Sequence, residues 1–324
     1  MKMCCERRIG RAMVKRTYFT FPSRDGFHTI HAVKWQTDET EPIAVLQLIH
    51  GMAEYIARYE EVAVYFAQKG FIVVGDDHLG HGDTAKEYGD YGYFCKNDPV
   101  TVLVRDEHRL KKIIQKEYEG LPYFILGHSM GSLILRNYLC RYGKGIDGAV
   151  VCGTAHYGRL PLFAGKILTG IFKIAGKERN KSAFLDEVMF GSFNKRTEKR
   201  TAFDWICSDE RVVDAYMNDP GCGFLFTVNG FDTLLELVKK LNKKSYLAKM
   251  PKKLPVLFIA GTEDPVGNYG KAVQDVYDTF LHLDLTKVQI KLYNDARHEL
   301  LNEKQKMQIY EDVSNWLSKV IYEK

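Results

Sequence analysis

The feature that most constrains the fold of this chain is an alternation of short apolar runs with amphipathic segments. Between residues 17 and 153, five strand-like runs read HTIHAVKW, IAVLQLIHG, FIVVGDD, YFILGHS and GAVVCG. Three segments between them carry apolar residues at helical spacing, and each ends at a glycine, where helices commonly stop. This alternation predicts an α/β fold with a mostly parallel sheet flanked by helices.

The alternation breaks over residues 154–248, which contain no clear buried strand and many apolar residues at helical spacing. It resumes with the strand-like run LPVLFIAGTED, a helix-like stretch around AVQDVYDTFL, the strand VQIKLYN and a final helix. We therefore predict one α/β core formed by residues 17–153 and 249–324. A helical insertion over residues 154–248 interrupts this core before the late strands.

Composition and charge exclude several classes of protein. The 45% hydrophobic and 27% charged residues are ordinary for a globular protein. The net charge of +5 lies entirely in the first sixteen residues, which hold six basic residues and one acid. A neutral body offers no basic face to a nucleic acid, so no nucleic-acid partner is expected. We interpret residues 1–16 as a basic, disordered tail and Met13 as a candidate for the true first residue.

The cysteines and the N-terminus indicate the compartment. The seven cysteines are odd in number and form no CxxC pair, so neither disulfides nor a zinc site are predicted. The N-terminus lacks the apolar run of about 7 residues that a secretory signal requires. No stretch approaches the ~18 apolar residues of a membrane span. These features predict a cytoplasmic protein with reduced thiols.

The strongest chemical signal is the G-x-S-x-G sequence from Gly127 to Gly131, centred on Ser129. It directly follows the apolar strand YFIL and directly precedes the helix-like SLILRNYL. The glycines permit a tight, strained turn that lifts the serine hydroxyl above the edge of the sheet. In this context the sequence predicts that Ser129 is a nucleophile rather than part of a structural turn.

A nucleophilic serine needs a base within hydrogen-bond reach and a third group that orients the base. With this type of turn, the acid and then the histidine follow the serine, and the acid lies at the end of a late strand. Asp264 ends LPVLFIAGTED and His298 follows VQIKLYN, so we assign the acid and the base to them. Glu263 and Asp147 are weaker candidates for the acid, and His282 falls inside a helical pattern.

Acyl transfer also needs hydrogen-bond donors for the developing oxyanion, each typically worth ~10²- to 10³-fold in rate. One donor is expected to be the backbone N–H of Met130, the residue after the nucleophile. The other is expected from the loop after IAVLQLIHG, and we assign it to the backbone N–H of Met52. The alternative is that this loop is only a turn, with Met52 packed into the core.

Five motifs carry a resemblance to a known family. HGMAEYIARYE, DDHLGHGDT, GHSMGS, GTEDPVG and RHELLNE occur in this order within residues 17–322. In order and spacing the chain resembles the monoglyceride-lipase and lysophospholipase branch of the α/β-hydrolase fold, which is often grouped with the serine aminopeptidases. The resemblance implies the same nucleophile, acid, base and oxyanion donors. It also implies that the insertion forms a lid or cap over the active site.

The chain departs from the family pattern in one motif. The usual HGxGEH form has glycine and histidine where this chain has Ala53 and Tyr55. The departure concerns how a polar headgroup is held beside the nucleophile, because the backbone donors of an oxyanion hole do not depend on these side chains.

No cofactor or metal is expected. The loop from Asp76 to Asp83 contains aspartates and histidines, but His78 and His81 are three residues apart among glycines. A metallohydrolase more typically shows H-x-H-x-D-H, so we interpret this segment as a structural loop beside the site. No phosphate-binding glycine motif of a nucleotide site is present either.

Within the insertion, five apolar residues recur at three- and four-residue steps and predict an amphipathic helix. They are Leu160, Phe163, Ile167, Ile171 and Ile174. Two interpretations stay open: this face packs on the catalytic domain, or it makes transient contact with a membrane.

The sequence therefore predicts a cofactor-free serine hydrolase of carboxylic esters, with monoacylglycerols or lysophospholipids as the first candidate substrates. Three alternatives remain: a general carboxylesterase for short or aryl esters, an amide hydrolase of the serine aminopeptidase type, and a fold relative that only binds a ligand. Oligomeric state is not predicted.

Overall fold

The computed structural model describes residues 4–8 and 13–323. Its strands form one sheet in the order β1-β2-β3-β5-β4-β6-β7-β8-β9. Strands β1, β2 and β3 are antiparallel to their neighbours, and β5, β4, β6, β7, β8 and β9 run parallel. The bounds are β1 Cys4–Arg8, β2 Met13–Pro22, β3 Thr29–Thr37, β4 Ala44–Ile49, β5 Phe71–Asp76, β6 Tyr123–His128, β7 Gly148–Cys152, β8 Val256–Gly261 and β9 Val288–Tyr293.

Helices cover both faces of this sheet. The α-helices of the described residues are α1 Glu60–Gln68, α2 Gly82–Tyr88, α3 Pro99–Glu117, α4 Met130–Tyr142, α5 Arg159–Ile174, α6 Ala183–Phe190, α7 Glu210–Asn218, α8 Val228–Leu241, α9 Lys244–Leu247, α10 Lys271–His282 and α11 Lys306–Tyr322. Apolar residues of α3, α4, α8 and α10 build one core, and those of α1 and α11 build the other. The predicted α/β class with a mostly parallel sheet is confirmed.

Strand β4 illustrates how the sequence sets the two cores. Successive side chains of a strand point to opposite faces, so an apolar run without alternation can be buried on both sides. Val45 and Ile49 pack in the core of α3 and α4, whereas Leu46 and Leu48 pack in the core of α1 and α11. All four are completely buried. The parallel strands could be recognised in the sequence for this reason.

Five of the helices, α5 to α9, lie between β7 and β8, within the segment predicted as a helical insertion. Helix α8 joins the insertion to the rest of the molecule, because it packs against α4, α3 and α5. Among the described residues, no helix is both long and apolar enough to cross a lipid bilayer.

The expectation of a disordered tail is wrong for two stretches of residues 1–16. Strand β1 pairs antiparallel with β2, and β2 already begins at Met13. Strand pairing uses backbone groups, so a basic composition does not prevent it, and Val14 anchors β2 by being buried. Residues 1–3 and 9–12 of the expected tail lie outside the described residues.

Candidate active site

Ser129 lies in a strained turn between β6 and α4. Its backbone has φ 54° and ψ −118°, a positive φ that L-residues rarely adopt. A Cβ at Gly127 would come within 2.5 Å of the carbonyl oxygen of Gly131. A Cβ at Gly131 would come within 2.1 Å of the carbonyl oxygen of Ile49 on β4. Both glycines are therefore required for the turn to sit against the sheet.

The three side chains assigned from chain order contact one another. His298 Nε2 lies 2.8 Å from Ser129 Oγ, and His298 Nδ1 lies 3.0 Å from each carboxylate oxygen of Asp264. Asp264 is completely buried, and its Oδ1 also accepts a 2.9 Å hydrogen bond from the Val266 N–H. Because both carboxylate oxygens face Nδ1, that nitrogen carries a proton and leaves Nε2 to accept from the serine hydroxyl.

Loop geometry brings these residues to the sheet edge. Strand β8 ends at Gly261, three residues earlier than the sequence suggested, and Asp264 lies in the following turn. The loop that carries His298 passes over the end of β8, where a Cβ at Gly261 would meet the carbonyl oxygen of Ala296 at 2.0 Å. Gly261 is thus a third glycine that the site requires.

The weaker candidates from the sequence lie in other surroundings. Asp147 precedes β7, at the opposite end of the parallel strands from Ser129, and its Oδ2 accepts a 2.7 Å hydrogen bond from the Tyr123 N–H. His282 is exposed at the end of α10 and contacts the carbonyl oxygen of Asp278. Glu263 is adjacent to Asp264, and its N–H donates to the carbonyl oxygen of Ala296.

The two assigned oxyanion donors lie beside Ser129. Met52 and Met130 both line the cavity that contains Ser129 and His298. Within the described residues, neither backbone N–H donates to a protein acceptor. The Met52 side chain packs against the hydrophobic core, as in the alternative interpretation, but this packing does not engage its N–H.

A buried ionic cluster beside the site was not found from the sequence. Glu54 accepts hydrogen bonds from the Gly51 N–H at 2.6 Å and from Arg58 at 2.6 Å. Arg58 also makes two 2.9 Å bonds to Glu299, the residue after His298. The cluster therefore ties the loop after β4 to the loop of the histidine. The i,i+4 spacing of Glu54 and Arg58 was visible in the sequence, but the contact with Glu299 was not.

His128 completes this cluster on the side of His298. Its Nε2 donates to the carbonyl oxygen of His298 at 3.2 Å, and its Nδ1 lies 2.9 Å from the Tyr59 hydroxyl. That hydroxyl has one proton and donates it to Glu54 at 2.7 Å, so Nδ1 must donate as well. Both ring nitrogens of His128 then carry protons.

The charges of the cluster agree with this assignment. Burial alone lowers the pKa of His128, but the hydrogen bond and charge of Glu54 outweigh burial and raise it. Burial alone raises the pKa of Glu54, but His128 and Arg58 outweigh it and hold the pKa well below its ordinary value. The ring centroid of His128 lies 4.8 Å from that of His298.

The cavity above Ser129 has a volume of about 360 Å³ and walls built from both the core and the insertion. Most of its lining is apolar or aromatic, and Trp205 lies with its ring 5.3 Å from that of His298. The aromatic residues in the lining are Tyr157, Phe190, Phe193, Phe203, Trp205, Tyr216 and Phe224. Two carboxylates of α6, Asp186 and Glu187, also line it.

Comparison with known proteins agrees with the geometry. A carboxyl esterase from Bacillus coagulans, solved in complex with glycerol, superposes with a TM-score of 0.88 at 30% identity, covering 94% of this chain and 99% of the esterase. The monoacylglycerol lipase of Mycolicibacterium smegmatis is 28% identical, covering 93% of this chain and 97% of the lipase. The monoglyceride lipase of Homo sapiens is 26% identical, covering 94% of each chain.

The sheet order, the strained serine turn and these neighbours define an α/β-hydrolase. The chain belongs to the family described as serine aminopeptidase, S33, whose model matches residues 40–305. Within that family it falls in the monoglyceride lipase and lysophospholipase branch, so it is a hydrolase of the lipase and esterase type.

Proposed function

We propose that this protein is a serine hydrolase that cleaves carboxylic esters through an acyl-enzyme. The observation that carries the proposal is the hydrogen-bond chain from Ser129 Oγ to His298 Nε2 and from His298 Nδ1 to Asp264, located at an apolar cavity. A hydroxyl, a base and an oriented acid at these distances are what acyl transfer requires. No cofactor is needed for this chemistry.

In the first half of the reaction Ser129 Oγ attacks the ester carbonyl carbon, and its proton passes to His298 Nε2. Asp264 stabilises the imidazolium, and the N–H groups of Met52 and Met130 donate to the oxyanion. The tetrahedral intermediate breaks its bond to the alcohol oxygen, which takes the proton from His298. A water molecule, deprotonated by His298, then attacks the acyl-enzyme and releases the carboxylic acid and Ser129.

The substrates that fit best are monoacylglycerols and lysophospholipids. The apolar and aromatic walls of the cavity suit an acyl chain, and the similarity to monoacylglycerol lipases supports a glycerol ester. Tyr55, which replaces the histidine of the usual motif, donates a 2.6 Å hydrogen bond to Asp219 of the insertion. This contact connects the loop after β4 to the insertion rather than leaving the Tyr55 hydroxyl free for a headgroup.

We propose further that residues 154–248 act as a cap that docks transiently on lipid. The five apolar residues predicted for one helix face lie on α5, and all are exposed, from 49% at Ile167 to 91% at Ile174. The alternative in which this face packs on the catalytic domain is wrong for these residues. Helix α5 instead buries Leu162 and Thr169 and packs against α8. An exposed apolar helix face suits a lipid surface bordering the cytoplasm.

Amide hydrolysis is the second candidate, and one feature of the cavity favours it. An aminopeptidase needs an acidic group to hold the free amine of its substrate, and Asp186 and Glu187 line the cavity. Burial raises the pKa of Asp186 above its ordinary value. Three other acids of the insertion, Asp204, Asp209 and Asp214, do not line this cavity.

The test is the hydrolysis of a chain-length series of monoacylglycerols, matched lysophospholipids and an aminoacyl amide by the wild type and by Ser129→Ala. We expect long-chain monoesters to react, and kcat/KM to fall by about four to six decades in Ser129→Ala. Ser245→Ala, which alters an exposed serine on α9, is the matched control and should retain full activity.

Each other outcome has a distinct meaning. Turnover of only short or aryl esters would indicate a general carboxylesterase instead of a lipid hydrolase. Turnover of only the amide would indicate an aminopeptidase. Full activity of Ser129→Ala would contradict the assigned nucleophile. A fluorophosphonate that fails to label the wild type would favour a fold relative that only binds ligands.

A further inference from the structure

A second cluster of ionisable side chains lies beneath the loop that follows β4, outside the cavity of Ser129. Asp76 ends β5, His78 is in the loop after it, and Glu107 projects from α3. Each of these side chains is 1% exposed. One potential ligand atom from each lies within 4.8 Å of the others.

The cluster has one more carboxylate than it has imidazole rings. Two carboxylates face one imidazole, whose Nδ1 lies 3.1 Å from Glu107 Oε1 and 3.8 Å from Asp76 Oδ2. Yet both carboxylate oxygens of Asp76 and Oε1 of Glu107 form no hydrogen bond. Among the described residues, no lysine or arginine pairs with either acid. Buried oxygens without a partner are costly, so they indicate a further ligand between them.

The surrounding hydrogen bonds hold the side chains of His78 and Glu107. His78 Nε2 lies 3.3 Å from the carbonyl oxygen of His50, which can only accept, so Nε2 is protonated and Nδ1 is left facing the carboxylates. Glu107 Oε2 accepts a 2.5 Å bond from Gln47, which is itself held by the Tyr123 hydroxyl. Metal-binding histidines and carboxylates are typically oriented by such outer bonds.

We propose that Asp76, His78 and Glu107 bind one divalent transition-metal ion, with Zn²⁺ as the best match. Zn²⁺ binds both imidazole nitrogen and carboxylate oxygen, whereas Mg²⁺ and Ca²⁺ prefer oxygen ligands alone. Ligand atoms bound tetrahedrally at about 2.0–2.2 Å from the ion lie about 3.4 Å from one another. This separation falls between the distances from His78 Nδ1 to Glu107, 3.1 Å, and to Asp76, 3.8 Å.

The ion has a structural role, because the cluster does not border the cavity of Ser129. The backbone N–H of His78 donates to His50 Nε2 at 3.1 Å, and the two rings stack at 3.9 Å. His50 immediately precedes Gly51 and Met52. The ion therefore supports, from below, the loop that holds the Met52 N–H.

The sequence predicted no metal because that prediction used only the loop from Asp76 to Asp83. Its histidine spacing is wrong for a site formed by the loop. The third ligand comes instead from Glu107, which lies on a helix and follows an ordinary helical pattern. The inference does not depend on which substrate the protein hydrolyses.

The experiment uses the untagged full-length protein, stripped with a chelator and titrated with Zn²⁺ alone by calorimetry. We expect one Zn²⁺ per chain and a rise in Tm of about 5 °C at a free concentration of 100 times Kd. Mg²⁺ at the same concentration should leave Tm unchanged. A wild type that binds no Zn²⁺, or binds it with no change in Tm, would overturn the proposal.

Two variants locate the ion. Glu107→Gln keeps the shape of the side chain but removes a charged ligand, and we expect Zn²⁺ affinity to fall by more than about 100-fold. Asp106→Asn is the control, because Asp106 is a buried carboxylate of the same helix whose bonds go to Ser23 and Arg24. Equal affinity in Glu107→Gln and the wild type would refute the site. If Glu107→Gln does not fold, His78→Asn provides the same comparison, and the wild-type titration decides independently.

Discussion

The sheet edge and the insertion differ in how far their side chains are buried and bonded to one another. At the sheet edge, Ser129, His298 and Asp264 are held by hydrogen bonds, and Arg58 clamps the adjoining loops with buried carboxylates on both sides. In the insertion, α5 leaves an apolar face open to solvent, and Arg200 forms exposed ion pairs with Glu210 and Asp214. The difference agrees with the proposal that the insertion meets a lipid surface.

The largest expected effect tests the fixed geometry of the sheet edge. Asp264→Asn keeps the shape of the side chain but can present an amide N–H to His298 Nδ1, which favours the wrong tautomer. We expect kcat to fall by about 10⁴-fold, as in comparable triads. Steady-state kinetics on the preferred ester, with the unfolding temperature as a check on folding, measures it. A loss below tenfold would mean that Asp264 does not orient the histidine.

A smaller effect is expected when the ion pairs of the two regions are removed in turn. Arg58→Met leaves Glu54 and Glu299 buried without their partner, so we expect the free energy of unfolding to fall by about 3–5 kcal/mol. Arg200→Met removes an exposed pair with Asp214 in the insertion and should change stability far less. Urea denaturation of both variants provides the comparison. Equal losses would show that burial does not distinguish the two regions.

The smallest effect concerns the open face of α5. Ile167→Asp introduces a charge into that face, and we expect a several-fold loss of binding to phospholipid vesicles with unchanged turnover of a water-soluble short ester. Leu281→Asp, which alters an exposed leucine of α10, is the control. Co-sedimentation measures binding. Vesicle binding that is unchanged in Ile167→Asp, or absent from the wild type, would refute docking through α5.

Much of this molecule could be predicted from its sequence, because its most informative patterns are local. Strands β4 to β8 are continuous apolar runs, so they were located within a few residues. The serine turn was visible because its glycines, its strand and its helix are adjacent in the chain. Chain order then restricted the acid and the base to a few residues, since parallel strands bring their carboxyl ends to one edge.

What could not be predicted depends on distant contacts. Arg58 meets Glu299 across 241 residues, and no local pattern signals that pairing. The direction of the apolar face of α5 was ambiguous, because periodicity identifies a face but not what covers it. Glu107 looked like an ordinary polar position on a helix, although its side chain is buried. Strand β1 was missed because its basic residues resemble a tail.

The sequence separation of the three contacting side chains also determines when the site can assemble during translation. Ser129 and His298 are 169 residues apart, and the insertion and β8 lie between them. Ribosomes release a chain from its N-terminus onward, so the serine turn can form long before its histidine has been translated. A nascent chain that already carries the turn therefore lacks its base. By the mechanism proposed above, the chain cannot cleave an ester until translation has passed residue 298.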